Sequence, residues 1–231
     1  MNDNNWILEA DNIYREFCTQ EATVRVLQGI TLNLHKGEMV AVTGASGVGK
    51  STLLHLLGGL DRPSSGEVRI GGTSLGPQSE EELASFRNQQ IGFVFQMHHL
   101  MEDFSALENV MIPLLIAGRK RREALDRGEL LMEFVGLSDR KNHRPNQLSG
   151  GEQQRVAVAR ALANEPRIVL ADEPSGNLDT STGRRLHDLL LRLNRDRATT
   201  FLIATHNQEL AQMCNRQLEI IDGCICEHQS S

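Results

Sequence analysis

The run Met39-Val40-Ala41-Val42-Thr43-Gly44-Ala45-Ser46-Gly47-Val48-Gly49-Lys50-Ser51-Thr52-Leu53-Leu54-His55-Leu56-Leu57 decides the fold. Its first four residues are apolar without alternation, the pattern of a strand covered on both faces. Its closing leucines, 53, 54, 56, 57 and then 60, read as a helix packed on more than one side. Between them stands G-x-x-x-x-G-K-[ST] at residues 44–51, in the strand–loop–helix context that this motif requires. The glycines let consecutive backbone N–H groups converge on a β-phosphate, and the helix that begins near Lys50 adds the positive end of its dipole. Lys50 is expected to reach β- and γ-phosphate oxygens, and Ser51 to give one oxygen to Mg²⁺. A lysine at a helix start is electrostatically unfavourable unless an anion sits there. The phosphate cradle expected is Gly44, Ala45, Ser46, Gly47, Val48, Gly49, Lys50, Ser51 and Thr52.

Working outward, Ile168-Val169-Leu170-Ala171 is a second buried-type strand that delivers Asp172 and Glu173 at its C-terminal end. Ligands of open α/β sheets bind on that side. Asp172 suits Mg²⁺, through a water; Glu173 suits the polarisation or orientation of a water that attacks the γ-phosphorus. The residues 180–195 read as a helix before a third apolar strand, Thr200-Phe201-Leu202-Ile203-Ala204, which makes a βαβ unit with a parallel sheet. Toward the N-terminus, residues 24–27 and 30–34 read as strands punctuated at Gly29, and residues 61–75 as a turn-rich hairpin. Residues 80–87 turn helical, 91–95 return to a strand, and 103–163 are largely helical. The fold expected is α/β: a mixed sheet flanked by helices in one domain, 1–231. Residues 1–90 and 164–231 form its nucleotide-binding core, and 91–163 a helical insertion.

Composition narrows the partners. The 231 residues are 39% apolar and 23% charged, an ordinary globular mix. With 24 basic against 30 acidic residues the net charge is −6, which disfavours diffuse coating of nucleic acid. The four cysteines, Cys18, Cys214, Cys224 and Cys226, contain no C-x-x-C pair. The spacing of Cys224 and Cys226 reads as sending their side chains to opposite faces of an extended segment, so reduced cysteines are expected. The opening residues MNDNNWILEADN hold no basic region before an apolar run, so no signal peptide is expected. The apolar stretch 110–117 is far shorter than the ~20 residues of a membrane span.

Leu148-Ser149-Gly150-Gly151-Glu152-Gln153-Gln154-Arg155 closes the choice. Two glycines and a serine at a helix start make a second anion cradle without a lysine. Here the chain resembles the ATP-binding-cassette (ABC) ATPases, whose signature is LSGGQ or a close variant. That resemblance spans roughly residues 6–227. It implies a P-loop ABC nucleotide-binding domain with an antiparallel β subdomain, binding ATP and Mg²⁺. It also implies a head-to-tail homodimer in which Ser149, Gly150 and Gly151 of one subunit cover the γ-phosphate held by the other. Residue by residue, it gives Gln96 a Mg²⁺-contacting and coupling role, Asp179 the place of the carboxylate at the dimer interface, and His206 a contact with the γ-phosphate. Phe17 takes the place of the aromatic that stacks on adenine, with Tyr14 as a rival. Three positions depart from the family's usual residues: Val48 for serine, Ser175 for threonine and Asn207 for aspartate.

Further likeness rests on Leu54-His55-Leu56-Leu57-Gly58-Gly59-Leu60-Asp61, Phe95-Gln96-Met97-His98-His99-Leu100, Asn142-His143-Arg144-Pro145 and residues 171–179. These are similar to the LolD-type ATPases of lipoprotein-releasing systems. That implies a subunit on the cytoplasmic face of a bacterial inner membrane, peripheral through separate membrane subunits that dock near residues 96–104. No direct lipoprotein contact and no nucleic acid are expected. A MacB-like macrolide or peptide efflux ATPase and an FtsE-like signalling complex share the phosphate-site motifs and stay open.

Overall fold

The residues 39–42, 168–171 and 201–204 are all buried, because the sheet they form has a hydrophobic core on each face. Met39, Val169, Ala171, Phe201 and Ile203 pack into one core; Val40, Val42, Ile168, Leu170, Leu202 and Ala204 pack into the other. Alternate side chains of a strand leave opposite faces, so two cores demand an unbroken apolar run.

The computed structural model describes residues 6–18 and 23–228. It opens with β1 (Trp6–Cys18) and β2 (Thr23–His35), followed by β3 (Met39–Thr43) and α1 (Lys50–Leu57). Then come β4 (Ser65–Ile70), β5 (Thr73–Ser74), α2 (Glu80–Gln90) and β6 (Ile91–Val94). The helices α3 (Ala106–Ile116), α4 (Arg121–Phe134) and α5 (Gly150–Ala161) follow, and β7 (Ile168–Asp172), α6 (Thr180–Arg197) and β8 (Phe201–Ala204) return to the sheet. The elements α7 (Gln208–Gln212), β9 (Arg216–Ile221) and β10 (Cys224–His228) complete the chain.

The strands form two sheets. One is antiparallel, in the order β2-β1-β4-β5; the other is mixed, in the order β10-β9-β3-β8-β7-β6, with only β10 antiparallel to its neighbour. The antiparallel sheet and α1 cover one core, and α3 to α6 cover the other. Val42 and Asp172 both pair with Ala204, so β3, β7 and β8 end at one edge. Everything that leaves that edge, residues 43–50, 172–180 and 205–207, is brought side by side. Gly92 permits a close crossing: a Cβ there would stand 2.5 Å from the Ala161 carbonyl oxygen, so β6 can lie against the end of α5.

Four local readings need correction. Gly29 does not divide a strand: β2 runs through it at φ 76°, and the irregularity is absorbed by register shifts against β1 on either side of Ile13. The helix after the phosphate loop stops at Leu57, capped by Gly58, so Leu60 lies outside it and is exposed. The strand expected over residues 91–95 ends at Val94. Cys224 and Cys226 share a face of β10, since residues two apart in a strand point the same way, and both are exposed. The first five residues and the Cys18 side chain lie outside the described residues.

Candidate functional site

The phosphate loop is shaped by its backbone. Gly44 takes φ 140°, and a Cβ there would fall 2.7 Å from the Ile220 carbonyl oxygen of β9. Gly49, at φ 111°, caps α1 from the left-handed region, where a side chain would be strained. The first turn of α1 has no acidic residue and no side-chain cap, so its N–H groups and dipole are left for an outside anion. Lys50 is 8% exposed and donates from Nζ to the carbonyl oxygens of Gly44 (2.9 Å) and Ala45 (3.0 Å). Its ammonium is thereby folded over the loop. Ala45, Ser46, Gly47 and Ser51 are exposed, and Thr52 is half-buried. The Val48 side chain turns the other way, against the core shared by α1 and the antiparallel sheet, which explains why an apolar residue is tolerated there.

At the ends of β7 and β8 a carboxylate and an imidazole meet. Glu173 Oε1 accepts a 2.8 Å bond from His206 Nδ1, and Oε2 accepts from the Thr205 hydroxyl at 3.3 Å. The Glu173 N–H donates to the Ala204 carbonyl at 2.8 Å, which extends the pairing of β7 with β8 by one residue. Glu173 takes φ 45° without being glycine, a strained state of order 1–3 kcal/mol that aims its side chain out of the sheet. The carboxylate is mostly buried and the imidazole mostly exposed.

Asp172 Oδ1 is buried and has no hydrogen-bond partner. A buried carboxylate oxygen left unpaired is costly, and a cation or its water is a ligand that satisfies it. The uncapped start of α1 and this orphaned oxygen both fit a phosphate–Mg²⁺ group, with Ser51 and Asp172 as its holders.

Gln96 leaves β6 and is tied to the loop after β7. Its Nε2 donates to Asn177 Oδ1 (3.0 Å), and Asn177 Nδ2 donates back to the Gln96 carbonyl (3.2 Å). The segment after Gln96 is gripped by α5: Gln154 Nε2 donates to the Phe95 carbonyl (3.0 Å), Gln154 Oε1 meets His98 Nδ1 (2.6 Å), and Arg160 donates to the carbonyls of His98 and His99. Neither Asn177 nor this grip is visible in the sequence, because side-chain amides carry no periodicity. Ser175 Oγ bonds the buried His187 Nε2 at 2.9 Å, and Asn207 Oδ1 caps α7 by accepting from the Leu210 N–H. Both departures from the family's usual residues therefore have structural work.

Ser149 caps α5, with Gly150 and Gly151 as its first turn. A Cβ on Gly150 would touch Leu178 and one on Gly151 would meet Thr182, so the signature rests on the loop and helix that follow β7. Asp179 caps α6 by accepting from the N–H groups of Ser181 and Thr182; the Thr182 and Ser181 hydroxyls, together with these N–H groups, hold its carboxyl far below the usual range. Glu173, Asp179 and His206 line one cavity of ≈190 Å³, and Gly44 and His206 line another of ≈500 Å³. Ser149 and Gly151 open instead onto a separate cavity of ≈180 Å³. A further cavity of ≈830 Å³ lies at the opposite end of the strands, near Lys36 and Arg167, and contains none of these residues. Phe17 is exposed with the Arg15 guanidinium 4.5 Å over its ring, whereas the Tyr14 ring packs against Gly29.

A profile of the ABC transporter family matches residues 27–176. The chain is an ABC transporter ATPase. It is 51% identical over 217 residues to the lipoprotein-releasing system ATP-binding protein LolD of Syntrophus aciditrophicus, with 94% of this chain and 97% of that protein covered. Identity to the LolD of Geobacter metallireducens is 52%, covering 94% and 96%. Among solved structures, the bacterial ABC transporter cassette MJ0796, determined as a dimer, shares 39% identity and superposes with a TM-score of 0.89 over 96% of this chain and 98% of that one. Its dimeric post-hydrolysis state bound to ADP and Pi gives 38% and 0.88, with 96% and 98% covered. The ABC fold is the P-loop type, a mixed sheet flanked by helices, and the activity of this family member is ATP hydrolysis. Among the described residues no helix is long and apolar enough to cross a membrane.

Proposed function

We propose that this chain hydrolyses ATP as a head-to-tail homodimer beneath separate membrane subunits, and that its work releases lipoproteins from an inner membrane toward a periplasmic carrier. The observation that carries the chemistry is the Glu173–His206 pair at the sheet edge that also presents the phosphate loop and Asp172. Half the residues of the chain are shared with lipoprotein-releasing ATPases over nearly its full length, which supports the cargo.

In this reading the loop 44–52 and Lys50 bind the triphosphate, and Phe17 stacks on adenine with its free face. Ser51, Asp172 and Gln96 hold Mg²⁺, which when bound neutralises charge on the phosphoryl oxygens. Glu173 accepts a hydrogen bond from the attacking water and takes its proton. His206 holds the Glu173 carboxylate in place through Nδ1, and the exposed imidazole contacts the γ-phosphate. Ser149, Gly150 and Gly151 of the second subunit close the site and exclude bulk water, with Asp179 at the subunit boundary. Met97, Met101 and Phe104, all exposed beside Gln96, give the membrane subunits an apolar seat. The core of residues 1–90 and 164–231 and the lobe of residues 91–163 are proposed to move against each other as nucleotide is bound and spent. The placement is the cytoplasmic face of the membrane, and no nucleic acid takes part.

Glu173→Gln tests the chemistry. Turnover should fall about 10²–10⁴-fold while ATP binding persists and a dimer accumulates; turnover near wild type would overturn the assignment. Purification of the unsubstituted protein from detergent-solubilised membranes tests the cargo. A pair of membrane subunits that release acylated lipoprotein with ATP supports the proposal. A partner that exports a drug or peptide, or one that controls periplasmic enzymes, would overturn it in favour of efflux or signalling.

A further inference from the structure

The signature cradle is occupied by the chain's own carboxylate. Glu152 Oε2 accepts from both the Ser149 N–H and the Ser149 hydroxyl at 2.8 Å, while the Glu152 N–H donates to Ser149 Oγ at 3.3 Å. Ser149 has one hydroxyl proton, and here it is spent on Glu152. The same reciprocal cap begins α2 (Ser79 with Glu82) and α3 (Ser105 with Glu108). A neutral glutamine, the family's usual residue at this place in the signature, makes such a cap equally well. A glutamate adds a full negative charge where a partner's γ-phosphate is to arrive, and like charges repel.

Glu152 alone of these three carboxylates has an ion-pair partner among the described residues. Its Oε1 lies 3.3 Å from Nε of Arg140, which ends the single helical turn Ser138–Arg140 and is about half-exposed. Arg140 therefore stands on the far side of the carboxylate from Ser149. It is in position to take the whole carboxylate in a bidentate pair.

We propose that Arg140 and Glu152 form a charge latch on the signature: Arg140 draws the Glu152 carboxylate off Ser149 as the partner's ATP arrives, so that the Ser149 N–H and hydroxyl turn to the γ-phosphate. The hydroxyl keeps its proton and changes only its acceptor. Arg140 is thus a positioning residue, acting on the nucleotide through Glu152 and Ser149. This rests on the head-to-tail reading above.

The test uses the full chain carrying Glu173→Gln, so that dimerisation driven by Mg-ATP is read at equilibrium by sedimentation. Arg140→Gln should raise the ATP concentration for half-dimerisation about tenfold, the scale of one charge-assisted contact. Glu152→Gln should lower it, and the double variant should behave like Glu152→Gln alone, a non-additive result that a merely structural arginine does not produce. Arg140→Lys, which keeps the charge but not the fork, should restore part of the loss. An ATP-driven dimer that ignores Arg140→Gln, or that loses the same factor to it with and without Glu152→Gln, would overturn the latch alone. A chain that forms no ATP-driven dimer in the Glu173→Gln background would overturn the head-to-tail reading and the latch with it.

Discussion

The two anion cradles of this chain are both helix N-termini, and they are built on opposite principles. The start of α1 has no side-chain cap and no acidic residue, and it carries a lysine whose ammonium is buried on the loop. The start of α5 has a serine cap, a glutamate in its first turn and no lysine. One leaves its helix N–H groups open and needs an anion for them to be satisfied, with a buried ammonium folded beside them. The other is satisfied by itself and gives up its internal partner only for something better. A difference of this kind makes the first site unconditional and the second conditional, which is what an ATPase that acts only when two copies meet requires.

Lys50→Ala and Ser149→Ala break the comparison most directly. Loss of the buried ammonium should weaken ATP binding by a single chain about 10²–10³-fold, with turnover abolished. Ser149→Ala should leave that single-chain affinity unchanged and instead lower turnover roughly tenfold, at a cost of about 1 kcal/mol in stability for the lost cap. Calorimetric titration of dilute protein, with steady-state rates beside it, separates the two. Equal loss of affinity in both variants would show that the cradles are not different in kind.

A smaller effect is expected where the two halves of the site are joined. The loop after β7 touches Gln96 through Asn177 and the signature through Leu178. Asn177→Ala removes both Gln96 bonds and leaves the phosphate loop and the signature cap intact. The rate should fall several-fold with little change in KM for ATP, since the lost contacts position groups rather than bind nucleotide. A rise in KM with an unchanged rate would place Asn177 with the phosphate loop instead.

How much of this was legible in the sequence follows from what each feature depends on. The β3–loop–α1 unit was legible because strand, glycines and helix are contiguous. The two-sided burial of β7 and β8 was also legible, because it forces unbroken apolar runs. The course of β2 through Gly29 was not: a glycine at φ 76° looks like a turn until β1 is seen to accommodate it with register shifts. The pairing of Glu173 with His206 joins residues far apart in sequence through parallel neighbours, so it was not legible: Glu173 stands out by its place after an apolar strand and His206 only through family resemblance, and neither reading joins the two. Asn177, Gln154 and Arg160 act through single side-chain bonds to backbone or amide groups, and such bonds leave no pattern in a sequence. Glu152 was read only as a variant letter of the signature; its role emerges with Arg140, twelve residues upstream and brought back by the turn at Ser138–Arg140.

Acid supplies the finest test of the difference between the cradles. The Ser149 N–H and hydroxyl hold the Glu152 carboxyl below its ordinary value of 4.5, with Arg140 adding to the effect. Ser79 and Ser105 do the same for Glu82 and Glu108. A carboxyl whose pKa is lower folded than unfolded binds protons more readily in the unfolded chain. Its stabilisation is therefore complete above the unfolded pKa and is lost as pH falls through the folded value. The caps of α2, α3 and α5 should loosen together as pH falls below the ordinary carboxyl value of 4.5, while the Leu53 N–H of α1, bonded to the Gly49 carbonyl in a turn with no acidic residue to protonate, keeps its protection against hydrogen exchange. Exchange at the bonded N–H groups of Glu152, Gln153 and Leu53, measured side by side as the pH is lowered, checks the contrast. Glu152→Gln should flatten the response at α5 and leave those of α2 and α3 in place. An acid response of equal size at α1 would mean that global unfolding, and not the loss of individual caps, sets exchange at both cradles.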